Sequence, residues 1–269
     1  MAGPALGRLG WRAVIIEGQA PAGQGFVLVI DAGGGRLEPA DDLAGLPITA
    51  AARRLQDRYF AARSGRQPAV IRAGVAGERL MAAAGVAVTD ADGLPTRYAG
   101  RGGLGATMGP KGLKAVVIRW ETAPARRPQD PEAWGEAVRR YHGALRASED
   151  TADMFPKCGT AITLEAVDSL GGLPTRGFRV GRFEAAAAIG GRSLRKTILA
   201  RGGEGTATHA CMPGCLVRCS NRFAGERGKL ITGPLEYETN ALCGSNLGLG
   251  SLAARGANRR RTPFLDNLR

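Results

Sequence analysis

Apolar residues in the first 120 positions come in short β-branched runs. Residues 11–17 read W-R-A-V-I-I-E and residues 26–30 read F-V-L-V-I. Such runs predict buried strands, and Pro21, Gly23 and Gly25 between them predict an antiparallel hairpin of the two. Residues 69–71 and 115–120 are further strand candidates, while the Ala-rich stretch 80–88 fits helix or strand. A period of 3.6 first shows over residues 47–62: Ile48, Ala52, Leu55, Tyr59 and Ala62 share one face, with Arg53, Arg54, Asp57 and Arg58 opposite. Ser64, Gly65 and Pro68 should end that helix. After the T-A-P-A-R-R-P linker at 122–128 the helical period dominates. Asp130-Pro131-Glu132 supplies an N-cap, a proline at the first helical position and a first-turn carboxylate. Trp134, Val138, Tyr141 and Leu145 should form that helix's buried face. Helices follow over 159–170, over 183–200 with Gly190-Gly191 interrupting, and over 233–243, with an irregular segment at 171–178. The pattern predicts an α+β chain: a strand-rich domain over 1–122 and a mainly helical one over 129–269.

Composition sharpens this picture. The chain has 269 residues, enough for one large or two ordinary domains. Aromatics make up only 5% and glycine reaches 41 residues, so the core must be aliphatic and much of the backbone can approach a neighbour closely. The net charge of +13 is spread over scattered arginines, with one tight cluster at Arg259-Arg260-Arg261. No aromatic residues interleave with basic ones as nucleic-acid binding requires, so a solvated surface is the better reading of the charge. No stretch approaches the roughly 18–20 apolar residues of a membrane span. No signal peptide and no secreted disulfide pattern are visible, which together predict a reducing cytoplasm.

The candidate chemistry sits in two stretches. Residues 211–219 read C-M-P-G-C-L-V-R-C, so Cys211, Cys215 and Cys219 fall within nine residues. Thiolates are soft ligands suited to iron–sulfur clusters and zinc. The C-x3-C-x3-C spacing lacks the C-x2-C pairs of most structural zinc sites. Three buried free cysteines are the plain alternative, but Pro213 and Gly214 argue for a loop. A cluster needs a fourth ligand: Cys158, Cys243 or a group outside this chain. The second stretch, residues 97–114, reads R-Y-A-G-R-G-G-L-G-A-T-M-G-P-K-G-L-K. A backbone so rich in glycine can bare successive N–H groups to an anion, with Arg101, Lys111 and Lys114 adding charge. It is neither a P-loop nor a dinucleotide fingerprint, because no G-x4-G-K-[ST] occurs and the strand follows the glycines. A plain flexible loop would account for it equally. Glu236 and Glu238 open the helix after the cysteines, where they suit the helix dipole.

Taken together, these segments resemble the tungsten-containing aldehyde:ferredoxin oxidoreductases. The match runs through A-V-I-I-E-G at 13–18, A-G-R-G-G-L-G-A-T-M-G-P-K-G-L-K at 99–114, L-P-T-R at 173–176, the cysteines, E-Y-E-T at 236–239 and G-S-N at 244–246. The cysteine spacing departs by one residue from the C-x2-C-x3-C of founding members, as in a variant branch. The resemblance implies a tungstopterin (or molybdopterin) cofactor and a [4Fe–4S] cluster, aldehydes oxidised to carboxylates, and ferredoxin or a related acceptor as partner. It implies that Ala99, Gly100, Arg101, Gly102 and Gly103 hold pterin phosphates. It implies that Cys211, Cys215 and Cys219 ligate the cluster, and that Glu236 or Glu238 moves protons near the metal. It also implies a pterin-binding domain truncated at its start, a helical half cut short, and a last twenty residues that drift from the pattern. On that basis the chain is expected to be a gene fragment, inactive alone, with room for a homo-oligomer in the full-length protein. The competing expectation is a stand-alone iron–sulfur or zinc module without catalysis.

Overall fold

The computed structural model describes residues 1–60, 66–121, 123–124 and 126–252. Ala62, Ser64, Gly65, Thr122, Ala125 and the Arg259-Arg260-Arg261 run lie outside the described residues. The chain is α+β and forms two compact units, Met1–Arg127 and Pro128 onward.

The first unit is built on a six-stranded sheet. Its strands are β1 (Phe26–Asp31), β2 (Gly34–Pro39), β3 (Ala69–Ala73), β4 (Val86–Val88), β5 (Arg97–Ala99) and β6 (Leu113–Ile118), in spatial order β2-β1-β6-β3-β4-β5. Only β1 and β6 run parallel; the other neighbours are antiparallel. The Val- and Ile-rich runs occupy the centre because both faces are covered. On one side α2 (Ile48–Tyr59) packs Ala51, Leu55 and Tyr59 onto Val27, Val29, Val70, Ala115 and Val117. On the other, α1 (Ala2–Leu9) contributes Ala5 against Ile30, Ala69, Val116 and Ile118.

The expected first strand is absent. Residues 11–17 take no ladder partner; they cross the second sheet face as irregular chain, with Trp11, Val14 and Ile16 packed on the core and Ile15 84% exposed. The hairpin is instead β1 with β2, registered Asp31 to Gly34. Gly33 donates its N–H to Asp31 Oδ1 at 2.9 Å, an aspartate-led turn that needs no apolar signal. The stretch 80–88 resolves into the short strand β4.

The second unit is mainly helical, with α5 (Pro131–Ala147), α6 (Phe155–Cys158), α7 (Thr163–Ser169), α8 (Ala186–Ile189), α9 (Gly191–Arg201) and α10 (Tyr237–Leu242). Asp130 caps α5 as its sequence dictates, accepting from the N–H groups of Glu132 (3.0 Å) and Ala133 (2.9 Å). The apolar face of α5 is not buried, however: Trp134 is 61% and Tyr141 64% exposed. The stripe has the right period, but no described element lies across it. Two small cores serve the rest. Leu194 and Ile198 of α9 meet Phe223, Leu235 and Ala161, while Leu164, Leu173, Phe183, Ile189 and Ala241 form the other. A three-stranded antiparallel sheet, β7 (Thr206–His209), β8 (Ser220–Ala224) and β9 (Leu230–Thr232), completes the unit.

Candidate functional site

The cysteine stretch is the loop joining β7 to β8. Strand polarity positions it: His209 N–H reaches Arg218 O at 3.3 Å, and His209 also bridges Cys219, closing the loop at its base. Within it, Cys215 N–H turns back to Met212 O, and Gly214 takes φ +80°, a left-handed value that suits glycine. Arg218 holds φ +50° just before the last thiol. All five cysteines are unpaired and partly exposed. The Cys219 thiol is pushed up by burial first, then by the charges of Glu236, Cys211 and Cys215. Those four groups therefore share one electrostatic neighbourhood. Among the described residues, however, the three sulfurs do not all come within 4.8 Å of one another. A tetrahedral mononuclear site with metal–sulfur bonds near 2.3 Å would hold them about 3.8 Å apart. The observed spacing does not suit one shared ion, whereas a cluster, whose ligands attach to different irons, does not require them so close.

Glu236 is brought to this loop by a residue that the motif reading missed. Asn221 is buried, its Nδ2 donates to Leu235 O and its Oδ1 accepts from Leu235 N–H, both at 2.9 Å. This two-point clamp fixes the residue next to Glu236 two positions beyond Cys219. Thr160 Oγ1 accepts the Tyr237 N–H at 3.0 Å, holding the first turn of α10. The two carboxylates then part. Glu236 is half-buried beside Cys219, whereas Glu238 is exposed and acts on Tyr237, whose hydroxyl pKa burial raises most and Glu238 raises further. The segment at 173–178 is tied to 244–246: Ser245 Oγ donates to Pro174 O at 2.7 Å, and Phe178 N–H donates to Asn246 Oδ1 at 2.8 Å. That link sets L-P-T-R beside G-S-N in the second unit. Of the other cysteines, Cys158 ends α6 and Cys243 follows α10. Gly159 packs so tightly on the cysteine loop that a Cβ there would lie 2.9 Å from Cys219 O.

The glycine-rich stretch of the first unit runs from β5 into the short helix α4 (Gly105–Met108). It has two faces. Inward, a Cβ on Gly103 would sit 2.4 Å from Ala82 O, on Gly105 2.5 Å from Gly85 O, and on Gly109 2.3 Å from Gly77 O. These glycines let two backbones touch, and Gly105 N–H completes the seam with a 2.8 Å bond to Ala84 O. Outward, Gly100, Arg101 and Gly102 are exposed, and nothing stands within 4 Å of a Cβ on Gly100 or Gly102. Gly102 and Gly103 take φ +84° and +65°, so the chain bends instead of continuing β5. Lys111 and Lys114 are engaged elsewhere: Lys111 Nζ reaches Gly18 O at 3.3 Å, and Lys114 Nζ lies 3.5 Å from Glu78 Oε1. Glu78 is also 3.7 Å from the buried Arg72 and accepts the Gly45 N–H at 2.9 Å. The helix α3 (Val75–Glu78), which carries this glutamate, is thereby anchored behind the glycine seam.

A family model described as the N-terminal domain of aldehyde ferredoxin oxidoreductase matches residues 1–120, and one described as domains 2 and 3 matches residues 136–259. The chain belongs to the aldehyde ferredoxin oxidoreductase family. A tungsten-containing aldehyde ferredoxin oxidoreductase of Pyrococcus horikoshii is 29% identical over 91% of this chain, and that of Pyrococcus abyssi is 30% identical over the same share. Both alignments cover 37% of the relative, so the chain spans little more than a third of their length. In fold, the chain is similar to the active-site complex BamBC of benzoyl coenzyme A reductase, with a TM-score of 0.62 and 20% identity over 95% of this chain and 38% of that one.

Proposed function

We propose that this chain is the cofactor-holding part of a tungsten bis-pterin oxidoreductase. The reaction converts an aldehyde and water into a carboxylate, releasing two electrons and three protons, with ferredoxin or a related carrier as acceptor. The observation that carries the reading is the cysteine loop at the tip of β7–β8, with Glu236 clamped beside it through Asn221 and Leu235. Three unpaired thiols on one short loop fit an iron–sulfur cluster, whose ligands attach to different irons. The outward face of Gly100, Arg101 and Gly102, with Ala99 and Gly103 at its ends, fits the phosphates of a pterin.

When bound, the tungsten pterin supplies two-electron chemistry, and the cluster passes the electrons on singly. The chain's own residues bind and position. The Gly100–Gly103 backbone and the Arg101 guanidinium hold anionic groups. Cys211, Cys215 and Cys219 ligate. Glu236 accepts a proton, and Glu238, exposed on α10, exchanges protons with solvent. If neither Cys158 nor Cys243 supplies the fourth ligand, the chain alone should hold its cluster loosely and oxidise no aldehyde.

Anaerobic reconstitution with iron and sulfide, followed by reduction and electron paramagnetic resonance, tests the assignment. A [4Fe–4S] signal should form and vanish in C211S, C215S and C219S. If it survives Cys158→Ser and Cys243→Ser, the fourth ligand is no cysteine of this chain. Absence of iron uptake, with zinc held tightly by the same three thiols, would overturn the cluster assignment.

A further inference from the structure

The second unit contains a cavity of about 340 Å³ lined by Asp153, Met154, Lys157, Cys158, Ile162, Arg192 and Arg195. That volume is at the lower end of the range for small-molecule sites, about 300–1,000 Å³. Its walls come from three places. A single π-helical turn, Asp150–Met154, provides Asp153 and Met154. Such turns are rare and recur at functional sites. The helix α6 adds Lys157 and Cys158, and the opening turns of α9 add Arg192 and Arg195. These elements close on one another because Gly191 has no side chain. A Cβ there would sit 2.6 Å from Ile162 N and 2.8 Å from Cys158 O.

The charge of this cavity is one-sided. Three cations line it against one carboxylate, and that carboxylate, Asp153, is already paired with Lys157 one helical turn on. Arg192 and Arg195 carry no ion pair to a described acidic residue. Both stand in the first turns of α9, whose N-terminus has no side-chain cap and no acidic residue. A helix start is already the positive end of the macrodipole, so two arginines there oppose helix formation unless an anion joins them. Guanidinium forks and the unmatched first N–H groups of a helix both suit tetrahedral oxyanions. Met154 and Ile162 supply apolar wall for a short carbon skeleton.

We propose that this cavity is a binding site for a small phosphate ester, with Arg192 and Arg195 holding the phosphate. The two arginines belong to α9 and not to the cysteine loop, although Cys158 in the cavity wall precedes Gly159, which packs on that loop; the proposal stands whether or not the oxidoreductase reading does.

Isothermal titration calorimetry on the full chain, at constant ionic strength, tests it with glycerol 3-phosphate, inorganic phosphate and succinate as probes. The ester should bind at one site with a dissociation constant of about 1 mM or tighter. Both arginines are at least partly solvent-exposed, so the double variant R192Q/R195Q should fold, and it should weaken binding at least tenfold. R101Q, on the glycine-rich loop, should leave this binding unchanged. Three outcomes overturn the proposal: no binding by the ester; binding lost in R101Q and kept in R192Q/R195Q; or succinate binding more tightly than either phosphate probe.

Discussion

At the scale of single residues, Asn221 and the seam glycines bear the most weight. Replacing Asn221 by Ala removes two buried hydrogen bonds and strands both backbone groups of Leu235. Each lost bond to a buried neutral group is worth about 1–1.5 kcal/mol, so N221A should destabilise the second unit by roughly 2–3 kcal/mol. A lowered urea midpoint with an unchanged slope would verify this. The glycines divide by what surrounds them. Gly105→Ala would drive a methyl into Gly85 O at 2.5 Å and should destabilise, whereas Gly143→Ala, with nothing within 4 Å inside α5, should stabilise by about 0.5–1 kcal/mol. Thermal melts of the two variants should move in opposite directions. Sequence alone made the stretch at 99–114 conspicuous, but not which glycines face inward. That division depends on Gly77 and Gly85, residues about twenty to thirty positions earlier that no local pattern connects to it.

At the scale of elements, legibility followed periodicity and capping. The helix α2 and the start of α5 carry their own signals in the Ile48–Leu55 face and the Asp130 cap, and both formed, although α2 closes at Tyr59, short of the expected end at 62. Residues 11–17 misled because a β-branched run reports burial more reliably than pairing: Val14 and Ile16 are packed, yet no neighbouring strand accepts them. The stripe of α5 misled in the opposite way, since amphipathic period implies a partner only when one lies across the helix. Two expectations follow. Asp130→Ala should cost about 1 kcal/mol, seen as lost helicity at the start of α5. Trp134→Ser should change stability by less than about 0.5 kcal/mol, and Trp134 fluorescence should be open to quenching by acrylamide. A strong stability loss in W134S would mean that the helix face is covered in solution. The strands β7 and β8 were invisible beforehand because T-A-T-H and S-N-R-F-A are short and polar, and their pairing is fixed by the loop base at His209 and Cys219.

At the scale of the molecule, each unit has its own apolar centres. Chains 1–127 and 128–269 expressed separately should therefore each show cooperative thermal unfolding by circular dichroism; a fragment that melts without a transition would show that its core is incomplete alone. The change of character near the Pro-bounded linker was readable in sequence, from strand runs before it to helical periods after it. The small sheet in the second unit was not, although it carries the cysteines. The +13 charge gives no comparable organising feature: described ion pairs such as Arg36–Asp31 and Arg58–Asp42 are local and exposed, where such pairs contribute little.

The shortness of the loop between β7 and β8 also has a consequence in time. Its three thiols lie within nine residues, so they come together as soon as that hairpin closes, an event of about 1–10 μs. At a synthesis rate of about 5–20 residues per second, Glu236 leaves the ribosome about one to three seconds after Cys219. The thiols are thus outside the tunnel before the carboxylate that later neighbours them. A nascent chain stalled between those two points would present an open cysteine loop, and the arrival of Leu235 at Asn221 would then close one side of it.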